Sequence, residues 1–99
     1  MIIFHVTTSG EWEQARSQGY YEAASLATEG FIHCSTAEQV KGVIERYFAG
    51  VPDLIKLSID SSKLQAPLKF ELAPSINQEF PHIYGRLNLD AVTNAERLN

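Results

Sequence analysis

The sequence predicts a single domain of the α+β class, and two observations lead to that prediction. First, 99 residues suffice for one hydrophobic core and not for two. Second, several short segments with strand-like alternation surround one segment of clear helical period, and another helix is marked by its end signals. Four or five strands with two main helices near the beginning of the chain are typical of an α+β domain.

The chain opens with a predicted strand. Residues 2–6 read IIFHV, a β-branched and aromatic run. Side chains alternate along a strand, so His5 and Thr7 share a face with Ile3, and Val6 lies on the opposite face. The pattern therefore brings a histidine and a hydroxyl together near the end of this strand.

A first helix is predicted from about Gly10 to Gln18. Thr8 and Glu11 have the three-residue spacing of a capping box, and Gly19 provides a C-terminal stop. The following residues, 20–30, contain many small side chains, and we expect them to form a connection.

A second strand is predicted at the segment FIHCS. Alternation puts Phe31, His33 and Ser35 on one face, and it puts Ile32 and Cys34 on the other. The second strand therefore resembles the first in placing a histidine two residues before a hydroxyl on the same face.

The clearest helix of the chain follows this strand. Two pairs, Ser35 with Glu38 and Thr36 with Gln39, fit the capping-box spacing and indicate its start. A Gly-Val-Pro segment at residues 50–52 indicates its end. The apolar residues that recur with helical period are Val40, Val43, Ile44, Tyr47 and Phe48.

The second half of the chain is predicted to consist mostly of strands. Residues 54–60 and 68–72 alternate, with a turn or short helical connection between them. We expect residues 73–81 to form a loop and residues 82–87 to form one more short strand. Residues 94–99 are polar, and we expect a tail without fixed structure there.

Charge and composition exclude several classes of function. Eight basic and twelve acidic residues give a net charge of −4, which argues against general binding to the phosphate backbone of nucleic acids. The single cysteine excludes an intramolecular disulfide, and no segment resembles a signal peptide or a membrane span. We therefore expect a cytoplasmic protein without membrane binding, and a small phosphorylated ligand stays compatible with the sequence.

The segment GFIHCST, at the predicted junction of strand and helix, is the first candidate site. The N–H groups at a helix start have no intrahelical partner, and they favour an anion. The hydroxyls of Ser35 and Thr36 add donors, and His33 lies on the same strand face as Ser35. One interpretation is a phosphate or ribose site, and the other is an ordinary helix cap beside a hydrogen-bonded histidine.

The other two histidines also lie beside polar or aromatic groups. His5 precedes Thr7 by two residues, and His82 precedes Tyr84 by two residues. If the first two strands are neighbours, these side chains line one cleft. Histidine is suited to proton transfer near neutral pH. Glu71 is the candidate carboxylate, and its alternative role is that of a solvated strand residue.

A metal site is the competing use of three histidines and one cysteine. No pair has the spacing on a helix or strand that usually anchors a metal ion. Cys34 points away from His33 on a strand, so a Cys-His nucleophile is not expected either. We therefore expect no metal, and we interpret Cys34 as a core thiol.

Several separated motifs resemble one family nearly from end to end. In chain order they are FHVTTSGEWEQARSQGYY, EGFIHCSTAEQV, LIKLSID, LKFE and FPHIYG. On these motifs the chain resembles the small, mostly bacterial family called domain of unknown function 952, which is grouped with the ADP-ribosyltransferase-like superfamily. The resemblance implies a compact domain with a split, mostly antiparallel β-sheet, flanking helices and a cleft that binds NAD.

The resemblance also implies roles for individual residues. The HVT segment at His5 is similar to the His-Gly-Thr of the RNA 2′-phosphotransferases and poly-ADP-ribose polymerases, which holds the nicotinamide ribose and amide. The FIHCS segment is similar to the Val-His-Leu-Ser of the 2′-phosphotransferases, which implies that His33 and Ser35 lie in the cleft. Glu71 is placed where some branches have a catalytic carboxylate. The chain differs in having a valine at the glycine position and no arginine before His5.

These observations give two expectations about function. The first is binding of NAD or another ADP-ribose or phosphorylated nucleotide, with turnover as an ADP-ribosyl- or 2′-phosphotransferase left open. The catalytic candidates are His33, His82 and Glu71. The residues expected to bind NAD or the nucleotide are His5, Thr7, Ser35, Thr36 and Tyr84. The second expectation is a module of the same fold that binds a ligand or a protein without catalysis.

Overall fold

Eight β-strands form three antiparallel sheets in the computed structural model, which describes residues 1–99. The first sheet has the order β1-β4-β8 and contains β1 (Ile2–Thr8), β4 (Leu54–Asp60) and β8 (Val92–Arg97). The second has the order β3-β6-β5 and contains β3 (Ile32–His33), β6 (Gln78–Ile83) and β5 (Leu68–Ala73). The third pairs β2 (Tyr20–Tyr21) with β7 (Leu87–Asn88).

Three α-helices connect these strands. They are α1 (Ser9–Gln18) after β1, α2 (Ala24–Glu29) before β3 and α3 (Val40–Tyr47) before β4. Short 3-10 turns at Ser61–Lys63 and Leu89–Ala91 follow β4 and β7. No helix combines the length and the apolar character needed to cross a bilayer. The prediction of a compact single α+β domain with antiparallel strands is confirmed.

The main core joins the first two sheets. Ile3 and Leu57 come from the first sheet, Ile32 and Ile83 come from the second, and all four are completely buried in one contiguous cluster. Burial of side chains of this size stabilises a fold by about 1.5–3 kcal/mol each. The two sheets therefore hold a fixed relative position, and the site described below depends on that position.

The opposite face of the first sheet packs against α3. Val6 of β1, Leu54 of β4 and Val40 of α3 form a second, smaller buried cluster, with Ile44 partly buried against it. Tyr47, predicted to belong to the same apolar stripe, is 67% exposed. The helical period is therefore correct, and one edge of the stripe is left uncovered.

The signals at the ends of α1 are confirmed. The Thr8 hydroxyl accepts a hydrogen bond from the Glu11 backbone N–H at 3.3 Å, and it lies 3.2 Å from a Glu11 carboxylate oxygen. Gly19 ends the helix with a φ of 95°, in the left-handed region that favours glycine. Both ends of this helix are set by contacts within the local sequence.

Four elements lie wholly or partly where the sequence predicted none. Residues 20–30 contain β2 and α2, and β6 begins at Gln78 in the predicted loop. Residues 94–97 belong to β8, so the expected unstructured tail is ordered there by pairing with β4. Pairing with strands far away in the chain creates β2 and β8, and no local pattern encodes it. β6 forms a hairpin with β5 and also pairs with the distant β3.

Candidate functional site

The two strands that carry His5 and His33 are adjacent. A single antiparallel bridge joins Phe4 of β1 to Ser35, with N–H···O=C distances of 2.8 and 2.7 Å in the two directions. In addition, the His5 ring donates a hydrogen bond from Nδ1 to the backbone carbonyl of His33. The neighbouring strands on which the predicted cleft depends are therefore present.

A pocket of about 510 Å³ opens where these strands meet α3 and the β5–β6 hairpin. Its walls are mostly apolar, with Phe48 from the end of α3, Leu72 from β5 and Phe80 from β6 among them. No lysine or arginine lines it. The polar residues that line the pocket are His5, Ser25, Glu29, His33, Ser35 and His82. A ligand in this pocket would meet an apolar surface with a few imidazole, hydroxyl and carboxylate groups.

Strand register places His33 and His82 side by side. His33 of β3 lies opposite His82 of β6, which in turn lies opposite Lys69 of β5. Residues directly opposite one another project from the same face of a sheet. The two imidazole centroids are 5.3 Å apart. Phe31 stacks on the His82 ring at 4.0 Å and contacts the His33 ring edge-on at 4.8 Å, which fixes both ring planes.

His33 pairs with a carboxylate from α2. Its Nε2 lies 2.9 Å from Oε2 of Glu29, the last residue of that helix. The left-handed conformation of Gly30, with a φ of 89°, turns the chain between Glu29 and β3. Both side chains are about half exposed, so solvent reaches this pair.

His82 belongs to a second hydrogen-bonded group with Glu71 and Tyr84. Its Nδ1 lies 2.8 Å from Oε1 of Glu71, and the Tyr84 hydroxyl donates to the same oxygen. These two hydrogen bonds, first that from Tyr84 and then that from His82, lower the pKa of Glu71 below its ordinary value. The same bond to Glu71 raises the pKa of Tyr84. Lys69 adds positive charge, with Nζ 4.8 Å from the centre of the Tyr84 ring.

His5 lies beneath this group, and its ring is fully hydrogen-bonded. Burial lowers its pKa to about 4, against an opposing hydrogen bond to the His33 carbonyl. The neutral ring donates from Nδ1, so its Nε2 accepts from the Tyr21 hydroxyl at 2.8 Å. Burial raises the pKa of Tyr21. Thr7 Oγ1, 3.1 Å from that hydroxyl and 3.2 Å from Glu11, extends the chain of polar contacts towards the surface.

The anion site predicted at the start of the helix after FIHCS is not formed. The α3 helix begins at Val40, several residues later than the capping-box spacing predicts. The backbone N–H of Ser35 is hydrogen-bonded to Phe4, and that of Thr36 donates to the Gln39 side chain at 3.0 Å. These donors are already satisfied, so they are not free to bind a phosphate.

The structure brings together six of the predicted site residues, four in one cluster and two on the pocket wall, and it leaves the other two outside. His33, His82, Glu71 and Tyr84 form one cluster. His5 and Ser35 line the pocket together with His33 and His82, although His5 has both ring nitrogens occupied. Glu71 and Tyr84 do not line it. Neither Thr7, buried in the core, nor Thr36 lines that pocket. No three histidine, cysteine or acidic side chains are grouped so that they could hold a metal ion.

Three residues of the site were not among those predicted from the sequence. Phe31 lies two residues before His33, and Lys69 lies two residues before Glu71. Residues two apart on a strand share a face, so the strand period places Phe31 and Lys69 near the site. Glu29 lies four residues before His33, but Gly30 interrupts the helical spacing. The meeting of Lys69 with His82 depends on strand register, which the local sequence does not show.

The geometry leaves two imidazole nitrogens free to act on a ligand. His33 uses Nε2 for Glu29 and His82 uses Nδ1 for Glu71, and neither ring makes another hydrogen bond within the protein. His33 Nδ1 and His82 Nε2 can therefore each donate or accept a proton. A carboxylate behind each ring fixes the orientation of that ring.

Comparison with known proteins supports the whole fold. The chain is 31% identical to protein CC0527 from Caulobacter crescentus in its X-ray crystal structure, with a TM-score of 0.91 over 100% of this chain and 87% of that chain. The solution NMR structure of CC0527 is also 31% identical, with a TM-score of 0.85 over 99% of this chain and 84% of that chain. The curated proteins include no significant match.

A family model gives the assignment. The model described as "Protein of unknown function (DUF952)" matches residues 6–95, which include every strand and helix named above in whole or in part. The motifs FIHCS and FPHIYG, which carry His33, His82 and Tyr84, lie inside the matched region. The chain therefore belongs to the DUF952 family.

Proposed function

We propose that the pocket binds a small nucleotide-like ligand, NAD or another ADP-ribose compound, and that the domain is related to the ADP-ribosyltransferase-like fold. The observation that carries this proposal is the pair of neighbouring imidazoles, each with one free nitrogen, beside a pocket of about 510 Å³. An apolar pocket with a few convergent polar groups is the usual form of a small-molecule site. The resemblance of HVT and FIHCS to nucleotide-binding segments agrees with this choice.

The ribose is the part of the ligand that matches the histidines best. Its hydroxyls both donate and accept hydrogen bonds, and the free nitrogens His33 Nδ1 and His82 Nε2 can serve either role. A planar base or nicotinamide ring would pack against the apolar walls near Phe48 and Phe80. Because no cation lines the pocket, the phosphates are expected outside it, towards Lys69.

Catalysis would draw on the same cluster. The lowered pKa of Glu71 keeps it ionised near neutral pH, and its two hydrogen bonds both go to Oε1. The other oxygen, Oε2, is available to stabilise positive charge on a ribose. His33 or His82 would move the proton. Turnover as an ADP-ribosyl- or 2′-phosphotransferase is the catalytic form of the proposal.

The second candidate function is binding without catalysis. It is favoured by the mostly apolar lining of the pocket and by the absence of the predicted anion site. Release of nicotinamide from NAD, or loss of phosphate from a 2′-phosphorylated RNA, distinguishes the two candidates. Either reaction, if abolished by replacing Glu71 or His82, supports the catalytic form.

Calorimetric titration with NAD and ADP-ribose tests the proposal. We expect His33→Ala and His82→Ala each to weaken binding by about tenfold or more, because each removes a hydrogen bond to the ligand. Asn94→Ala, which changes an exposed polar residue of β8, is the matched control and is expected to bind like the wild type. Unchanged affinity in both folded histidine variants would contradict the proposal.

A further inference from the structure

The histidine pair has a geometry suited to a second kind of chemistry. The ring centroids of His33 and His82 lie 5.3 Å apart. Each ring is held by a carboxylate through one nitrogen, and each leaves its other nitrogen free. A concerted displacement needs a base on one side of the reacting atom and an acid on the other. Imidazoles at this separation can contact the attacking and the leaving oxygen of one tetrahedral centre.

We propose that His82 and His33 are the general base and the general acid of a hydrolase for small cyclic phosphodiesters of nucleosides, with Lys69 as the phosphate-binding cation. The proposal goes beyond nucleotide binding, and it rests on the proposed function only in placing a nucleoside in the pocket. It requires neither NAD nor a metal ion. Its substrate class is the 2′,3′-cyclic nucleoside monophosphate.

The two histidines have different surroundings, and these assign their roles. The His82 side chain is 12% exposed, and its Nδ1–H is directed to Glu71, which is itself held by Tyr84. This tautomer leaves Nε2 as a proton acceptor. The His33 side chain is 54% exposed and pairs with Glu29, so solvent can return a proton to the ring after the ring has given one up. His82 is therefore the base and His33 is the acid.

Phosphorus is the reacting centre that fits the neighbouring charges. Lys69 of β5 lies directly opposite His82 of β6, on the side away from His33. A cation at this position stabilises the negative charge on the non-bridging oxygens of a phosphoryl group. Both carboxylates are hydrogen-bonded to histidines and so are not placed as nucleophiles. The net charge of −4 disfavours a long polyanion, and the small pocket favours a mononucleotide.

The reaction balances with water as the only co-reactant. His82 Nε2 takes a proton from water, and the water oxygen forms a bond to phosphorus. The bond from phosphorus to one ribose oxygen breaks, and that oxygen takes the proton from the His33 imidazolium. The products are a nucleoside monophosphate with a free neighbouring hydroxyl, a protonated His82 and a neutral His33. Proton exchange with solvent restores both rings.

The test follows the opening of each 2′,3′-cyclic nucleoside monophosphate by ³¹P NMR. We expect turnover by the wild type, and a loss of about 100-fold or more in kcat for His33→Ala and for His82→Ala, the usual size of a general acid–base contribution. Lys69→Ala is expected to reduce kcat/KM, with partial recovery in Lys69→Arg. Glu96→Gln, an exposed carboxylate of β8 that lies outside the site, is expected to keep full activity.

Two further readouts separate acid–base catalysis from a structural role of the histidines. The wild-type rate is expected to have a bell-shaped dependence on pH, and each histidine variant is expected to lose one limb. The charged or titratable groups around the pair are Glu29 from α2, Lys69 and Glu71 from β5, Tyr84 after β6, and His5 from β1. Glu71→Gln and Tyr84→Phe change the surroundings of His82 and leave the Glu29 contact of His33 in place. If His82 is the basic group, both variants are expected to change the limb of the pH profile that His82→Ala removes.

Three outcomes are decisive. Turnover that both histidine variants abolish supports the inference. No turnover by folded wild-type protein overturns it, and so does an activity that survives unchanged in His33→Ala and His82→Ala, because such an activity would come from a contaminant. Affinity for ADP-ribose is measured on the same samples. Binding without turnover would support the nucleotide pocket and contradict only the hydrolase activity.

Discussion

The protonation of His5 is coupled to folding in the acidic pH range. Its ring is buried, hydrogen-bonded at both nitrogens and neutral at pH 7. Through Nδ1 it holds the backbone of His33, so the position of the exposed histidine depends on the buried one. His5, which was predicted to hold a ribose, is therefore placed to support His33, which can contact one.

The pH dependence of stability follows from this burial. The pKa of His5 falls from 6.5 to about 4, so between these values the unfolded chain binds a proton that the folded chain does not. The free energy of unfolding therefore decreases as the pH falls from 6.5 to 4, by roughly 3 kcal/mol from this group. His5→Asn keeps a donor near the Nδ1 position and removes the titration.

Urea unfolding of wild type and His5→Asn at pH 7, 5.5 and 4 measures this effect. The carboxylates titrate in both proteins and cancel in the difference. We expect the wild type to be the more stable protein at pH 7 and its advantage to shrink by roughly 3 kcal/mol at pH 4. A stability difference that stays constant over this range would contradict the assignment.

Tyr84 controls the ionisation of Glu71. Its hydroxyl provides the largest contribution to the lowered pKa of that carboxyl group. We expect Tyr84→Phe to raise the pKa of Glu71 towards its ordinary value, and a carboxyl ¹³C NMR titration measures the change. Tyr20→Phe is the control, because Tyr20 packs under Arg86 and does not contact Glu71. Equal Glu71 titrations in wild type and Tyr84→Phe would show that the hydrogen bond is absent in solution.

Helix α1 is the element that the sequence predicts best. Its capping residue and its first-turn glutamate contact each other at the start of the helix, and its terminal glycine acts at the end, so local sequence determines both ends. The start of α3 shows the opposite case. Ser35 has a capping-box spacing, but its backbone pairs with Phe4 of a different strand, and this tertiary contact delays the helix.

Two glycines, one in the first turn of α1 and one directly after its last residue, give an internally controlled test of the role of the helix end. A Cβ at Gly10 or at Gly19 would have no heavy atom within 4 Å, so packing does not distinguish them. Only Gly19 has a positive φ, of 95°. We expect Gly19→Ala to destabilise the protein by about 1 kcal/mol and Gly10→Ala to be neutral or stabilising by up to about 1 kcal/mol. Thermal unfolding measures both, and equal effects would contradict the role of Gly19.

The short strands mark the limit of prediction from local sequence. β2 and β3 have two residues each, and such a length shows no period. The alternation in FIHCS correctly separates His33 from the buried Ile32 and Cys34. The pairing of His33 with His82 depends on the register between two distant segments. Both histidines could therefore be predicted as site residues from the sequence, but their contact with each other could not.

At the scale of the whole molecule, the site depends on how the two larger sheets are held together. β1 belongs to the first sheet and β3 to the second, and the Phe4–Ser35 bridge links them directly. The strand β4 supports this arrangement from the middle of the first sheet, between β1 and β8. Loss of β8 would leave β4 as an edge strand with an uncovered row of backbone groups.

Removal of residues 92–99 tests the contribution of β8. The truncation removes the pairing of β4 with β8 and the two hydrogen bonds of the Asn99 side chain, to the Leu54 N–H and the Val51 carbonyl. We expect a loss of at least about 3 kcal/mol in the free energy of unfolding, or loss of cooperative unfolding. Thr93→Ala, an exposed position on the same strand, is expected to change stability much less. A truncated protein as stable as the full chain would contradict this view.

The central claim is that His33 and His82 contact a nucleotide-like ligand, and an NMR titration tests it most directly. Labelled protein is titrated with NAD, ADP-ribose and a 2′-phosphorylated dinucleotide while the imidazole and backbone amide signals are followed. We predict saturable shifts at the His33 and His82 rings and at the Ser35 amide, with little change at Asn94 on β8. Unchanged signals at both histidines, in a well-folded sample at millimolar ligand, would contradict the claim.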